Sequence, residues 1–157
     1  MKNFNVNKFK LLFTHEWFDL TNEIVGVALP GLSLSYFDVP AGGGLVVKQS
    51  GDDIDYSELV TTVVLDEEMQ LLYDLQEFIF ELKDPLKGDY SNKSVPCVLQ
   101  LYSSSSGKVV REIEFINLRP ASFSSVDLET NIENVDFRTV EITWYFDYWK
   151  ILKKEEL

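Results

Sequence analysis

Apolar and polar side chains alternate along most of this chain, and the alternation is sharpest near its end. In FRTVEITWYFDYWKI, residues 137–151, Val140, Ile142, Trp144, Phe146 and Tyr148 fall on one side and Thr139, Glu141, Thr143, Tyr145 and Asp147 on the other. A period of two marks a strand with one buried face. The stretch therefore predicts a single closing strand with an aromatic core side and a polar outer side. Upstream, VPCVLQLY alternates Val95, Cys97, Leu99 and Leu101 with Val98, Gln100 and Tyr102, and VVREIEFIN alternates Ile113 and Phe115 with Glu112 and Glu114. The polar run SSSSGK between them predicts a hairpin. Further strands are predicted over residues 3–13, where Phe9, Leu11 and Phe13 share a side, and over 24–29 and 32–37, which Pro30 and Gly31 separate. The β-branched ELVTTVVL at 58–65 predicts another. The segment LRPASFSSVDLETNIEN predicts a bend, a short extended piece and a turn.

Two segments depart from simple alternation. PAGGGLVVKQSGDDIDY sets three glycines and a Ser-Gly-Asp-Asp turn around a short apolar run, which predicts a projecting hairpin over residues 41–56. Residues 66–83 then change period. Asp66 is a good N-cap, Glu67 and Glu68 suit the positive end of a helix, and Asp84-Pro85 stops it. At about 100° per residue, Leu71, Leu72, Leu75, Phe78, Ile79 and Leu82 form one wide apolar stripe that should cover the sheet. Met69, Tyr73 and Phe80 form a second stripe nearly opposite, with Glu67, Asp74, Glu77 and Glu81 between the two. A helix apolar on two sides is held between two surfaces. The second surface is either a neighbouring subunit or a loop of the same chain.

These elements add up to six or seven antiparallel strands with one flanking helix, a mainly β sandwich or barrel. The 157 residues and 45% hydrophobic content fit a single folded domain across residues 1–157, with a short C-terminal tail over 150–157. Charge narrows the functions available. Asp and Glu number 26 against 14 Lys and Arg, a formal net charge of -12, which opposes unaided adsorption to nucleic acid or anionic membrane. The N-terminal residues lack the apolar core of a secretory signal, and no apolar run nears the roughly 18 residues of a membrane-spanning helix, so folding in a cytoplasm is expected. Cys97, the only cysteine, reads as a small buried hydrophobe.

No reactive constellation stands out. His15, the only histidine, sits in HEWF, which does not continue to a zinc-protease motif. Asp52, Asp53, Asp55 and Glu58 lack the spacing of a calcium loop, and the glycines at 42–44 are not followed by the residues of a phosphate cradle. No catalytic residue, cofactor or metal is assigned, and a structural or interaction role is the better expectation than an enzyme. A small carbohydrate-binding or hydrolytic β-domain is the alternative from another class.

Several stretches in this order resemble the tail tube proteins of contractile-tailed bacteriophages. They are VALPGLSLSYFDVPAGGG, then DEEMQLLYDLQEFI, then KVVREIEFINLRPASF and the closing FRTVEITWYFDYWKI. The resemblance implies a tube fold whose copies form hexameric rings around a continuous inner β-barrel. The rings stack into a virion tail tube that conducts DNA during ejection, with sheath and baseplate proteins as partners. It also implies inter-subunit or inter-ring contacts through Gly42, Gly43, Gly44, Leu45, Val46 and Val47 of the hairpin, and through Met69, Tyr73 and Phe80 of the helix. Lumen candidates are Gln100, Glu112, Glu114, Thr139, Glu141 and Thr143, where carboxylates would keep phosphates off the channel wall. Baseplate tube initiators and type VI secretion tube proteins share the fold and remain alternatives. The short run after the closing strand favours the tube subunit itself.

Overall fold

The structure, a computed structural model, describes residues 8–13, 24–82, 94–103, 105–130 and 138–152. Residues 3–7 of the first predicted strand, His15, Lys83 at the end of the predicted helix, the end of the turn predicted in LRPASFSSVDLETNIEN and the part of the predicted tail beyond 152 lie outside the described residues. Described are nine strands and one helix: β1 (Phe9–Phe13), β2 (Ile24–Ala28), β3 (Leu32–Gly42), β4 (Leu45–Tyr56), β5 (Leu59–Val64), α1 (Gln70–Leu82), β6 (Val95–Tyr102), β7 (Val109–Phe123), β8 (Thr139–Tyr145) and β9 (Tyr148–Ile151). Seven strands join in one antiparallel sheet, in the order β1-β6-β7-β8-β5-β2 with β9 also on β7, while β3 and β4 form a separate hairpin.

The sheet folds over because β7 serves both halves. Its first part pairs with β6 and, through Ile113–Ile116, with β9. Its last part, residues 119–123, pairs with β8. The change falls at Asn117, whose φ of 56° is one of two positive values outside glycine among the described residues, beside a register shift against β6. Asparagine tolerates this left-handed region better than other non-glycine residues. The first wall is then β1-β6-β7-β9 and the second β7-β8-β5-β2. Phe13 on β1 meets Trp144 on β8 with ring centroids 5.2 Å apart, so the walls face each other across the core.

The inward positions are those that the alternation picks out. Leu59, Thr61 and Val63 on β5, Val95, Cys97 and Leu99 on β6, Ile113 and Phe115 on β7, and Val140, Ile142 and Trp144 on β8 are buried. Each large apolar side chain so buried contributes about 1.5–3 kcal/mol. Leu71, Leu75, Phe78 and Leu82 of α1 complete the core, as the first helix stripe requires. Thr61 is the one buried polar side chain among the described residues, and its Oγ1 accepts a hydrogen bond of 2.9 Å from Trp144 Nε1.

Four expectations change. The closing strand is two strands: β8 ends at Tyr145, and β9 crosses to the other edge of β7 after a corner at Phe146 and Asp147. Tyr148 is consequently exposed rather than in the core. LRPASF continues β7 through Pro120 instead of bending away. The hairpin spans residues 32–56, with residues 32–37 in its first arm rather than in the body and residues 50–53 inside its second arm. The helix starts at Gln70, because Met69, at φ 53°, takes a left-handed conformation after a turn at 66–69. Asp66 still acts as the cap, its Oδ1 accepting from Gln70 N at 3.1 Å.

Candidate assembly interface

The hairpin follows directly from its residues. Gly42, Gly43 and Gly44 have φ of 87°, 62° and 78°, a tip that side-chain-bearing residues would strain. Below it the register shifts twice, between Pro40 and Gly42 next to the tip and at Ser35, opposite residues 51–53. A Cβ on Gly51 would lie 2.3 Å from Ser35 Oγ, and that same Oγ accepts from Asp53 N at 3.1 Å. At about 3.3 Å per residue the arms extend some 35 Å.

At the root, Gly31 O accepts from Ser57 N at 3.1 Å and Ser57 Oγ from Gly31 N at 2.6 Å. The Tyr56 ring packs edge-on against Phe146 and Trp149, with centroids 5.8 and 6.3 Å away. Phe146 in turn lies 5.4 Å from Phe115. The aromatics after Trp144 therefore seat the hairpin on the β8–β9 corner. Asp147 fixes that corner: its N donates to Ile116 O at 3.0 Å, and its carboxylate accepts from Asn117 Nδ2 and, at 3.4 Å, from Arg119.

Beyond the root, β3 and β4 pack on each other and on no other described element to a comparable extent. Their apolar side chains are uncovered: Leu32, Leu34, Tyr36, Phe37, Leu45, Val46, Val47 and Ile54 are all exposed, Tyr36 and Leu45 at 64%. Leu32 and Leu34 sit opposite Tyr56 and Ile54 on one face of the lower half. The candidates Leu45, Val46 and Val47 are thus part of a longer apolar surface. The residues of β3 went unrecognised because an apolar run reads as core from the sequence whether or not the fold buries it. On α1, Tyr73 is 58% and Phe80 45% exposed, while Met69 is half-buried at the turn before the helix.

The lumen candidates fall into two groups. Gln100, Glu112 and Glu114 point outward from the first wall, where Gln100 Nε2 donates to Glu112 Oε1 at 2.8 Å and Tyr102 Oη to Gln100 Oε1 at 2.8 Å. Glu114 lies 3.5 Å from Lys150 Nζ. Thr139, Glu141 and Thr143 point outward from the second wall, opposite Val64, Thr62 and Val60. Because the walls share one core, the two groups face away from each other. No group of three or more metal-ligating side chains occurs among the described residues. Cys97 is buried, and the loss of solvation pushes its thiol pKa well up.

No protein-family model and no curated protein matches the sequence. Solved structures do match over nearly the whole chain. One is a chain of an extracellular contractile injection system, the PVC sheath/tube terminator in the extended state, at TM-score 0.74 and 14% identity, covering 98% of this chain and 99% of that one. A second is from the anti-feeding prophage cap, described as the AFP tube terminating cap, at TM-score 0.71 and 12% identity over 97% and 92%. A third is a type six secretion system protein at TM-score 0.51 and 10% identity over 92% and 82%. With the two-walled sheet, one helix and projecting hairpin of its described residues, the chain has the fold of these tube and tube-terminator proteins.

Proposed function

We propose that this chain is a structural, non-enzymatic subunit of a contractile-tail tube, a single tube domain that assembles with copies of itself into stacked hexameric rings. The observation that carries the reading is the uncovered apolar hairpin. Eight large apolar side chains stand uncovered along this one hairpin, and exposed apolar surface of that kind marks a place that a partner covers. Copies of the same chain supply that partner in a ring or stack, where one surface meets a different one on the next copy. The exposed Tyr73 and Phe80 of α1 provide a second contact. The fold supports the same reading, since the similar structures come from sheath-tube and terminator assemblies. Sheath and baseplate proteins are then the outer partners, the virion tail is the place of action, and double-stranded DNA is the cargo that passes without being held.

A second reading keeps the tube and changes the cargo. Similar structures come from an extracellular contractile injection system, and a secretion-type tube would carry polypeptide in place of DNA. Electron microscopy of the purified protein over a range of concentrations tests the tube itself. Rings or tubes are the expected result, and a persistent compact monomer overturns both readings. Nucleic acid or protein density inside tubes recovered from particles separates the two cargoes.

A further inference from the structure

A cleft of about 420 Å³ lies at the root of the hairpin, lined by Gly31, Leu32 and Ser33 around the start of β3 and by Asp55, Tyr56 and Ser57 around the end of β4. We propose that this cleft is the socket for the hairpin tip of a second copy, with Leu45 and Val46 entering it and Lys48 meeting Asp55. This rests on the tube reading above and adds to it which part of one copy meets which part of the next.

The first support is the build of the cleft. Its surface is mainly apolar, and its size falls in the range of about 300–1,000 Å³ in which proteins hold ligands. Its floor is fixed. The two hydrogen bonds between Gly31 and Ser57 close the root, and Tyr56 is held edge-on by Phe146 and Trp149. A preformed site of this kind spends little on ordering when it is filled.

The second support is charge. Lys48 is the only Lys or Arg between residues 24 and 64, and it stands next to the tip residues Leu45, Val46 and Val47. Its ammonium lies 4.4 Å from the Tyr36 ring centroid, and Asp38, across the ladder, is the one acid in that half of the hairpin. Asp52, Asp53, Asp55 and Glu58 all lie in the root half or just past it. The hairpin is therefore polarised, apolar with a cation at its tip and apolar with carboxylates at its root. In such a contact the apolar side chains supply affinity, and the opposite charges select the partner and fix the register.

The third support is length. The arms extend some 35 Å, so a paired ribbon keeps its tip far from its own root. Only another copy can bring a tip to this cleft. Because plug and socket are at different ends of one element, each contact leaves a free tip on one copy and a free socket on the other. Head-to-tail contacts of this type propagate.

Charge reversal tests the pairing. Lys48 and Asp55 are both exposed, and Lys48→Glu and Asp55→Lys are compared with the wild-type chain by sedimentation velocity at one ionic strength. Each single reversal sets like charges against each other and is expected to raise the concentration needed for assembly about tenfold or more. Asp55→Lys is the sharper case. It changes the net charge from -12 to -10, which eases general repulsion, yet assembly is expected to weaken. The two variants mixed in equal amounts, and the double variant, which keeps the net charge of -12, restore opposite charges at the contacts and are expected to assemble as the wild type does. Single variants that assemble normally, or a mixture and a double variant that stay dispersed, overturn the socket while leaving the tube standing. Loss of assembly on Tyr73→Ser, with both charge variants unaffected, overturns it too and gives the cleft to the helix face of a neighbouring copy. Failure of the wild-type chain to assemble overturns the tube reading, and the socket with it.

Discussion

Trp144 and Thr61 show how one hydrogen bond ties the two central strands of the second wall. Both side chains are fully buried, and the indole N–H has the threonine hydroxyl as its acceptor at 2.9 Å. Thr61→Val keeps the shape and removes the acceptor, which strands a buried donor at a cost of about 1–3 kcal/mol. The expected result is a lower denaturant midpoint with an unchanged slope, since the surface exposed on unfolding is the same. Combining it with Trp144→Phe should give less than the sum of the single losses, because the donor is then gone too. The alternation of residues 139–145 placed Trp144 inward correctly. It could not show that Thr61, one polar residue in an apolar-looking run, lies beneath it. That pairing depends on the register of β5 against β8, which no local pattern records.

At the scale of elements, what the sequence revealed and what it hid divide along the same physical line. Strands β5, β6 and β8 and helix α1 bury one side within the chain, so their periodicity points at their core faces. The β8–β9 corner was hidden because Phe146 and Tyr148 keep the period of two while the backbone turns. What breaks there is the pairing, as Asp147 N reaches Ile116 O. The hairpin was half visible: its glycines announce the tip, but its apolar residues imitate a core strand. Gly51→Ala probes its internal geometry. The added methyl meets Ser35 Oγ at 2.3 Å and the Ser35 carbonyl carbon at 3.2 Å, so the hydroxyl must move and give up Asp53 N. Amide exchange in β3 and β4 should accelerate while exchange in β5 and β8 stays put; uniform acceleration would count against an independent hairpin. The tip is probed by Leu45→Ser with Val46→Ser. Both side chains are already exposed, so monomer stability should change by only about 0.5 kcal/mol per site. Sedimentation velocity should nevertheless show a clear loss of self-association, and undiminished assembly would remove the tip from the interface.

For the whole molecule, the net charge of -12 sets how copies of the chain meet. In the proposed tube, apolar hairpin and helix surfaces would draw copies together, while the long-range field of each copy would oppose approach. The two terms respond differently to salt. Screening shortens from about 30 Å at 0.01 M to about 8 Å at 0.15 M, which removes most of the repulsion between exposed carboxylates and leaves apolar contact largely untouched. Assembly should therefore strengthen as salt is raised. The midpoint concentration for ring or tube formation, followed by light scattering and confirmed by electron microscopy, should fall between these ionic strengths. The opposite trend would mean that attraction between charges holds the copies together, and the apolar hairpin would lose its place as the main contact. Salt dependence also separates self-assembly from cargo binding. Contact with a polyanion through Lys and Arg weakens steeply as counterions are added, whereas 26 Asp and Glu against 14 Lys and Arg oppose such contact altogether. Tubes that grow more stable with salt, while nucleic acid remains unbound at every concentration, are the joint outcome this molecule's charge distribution requires.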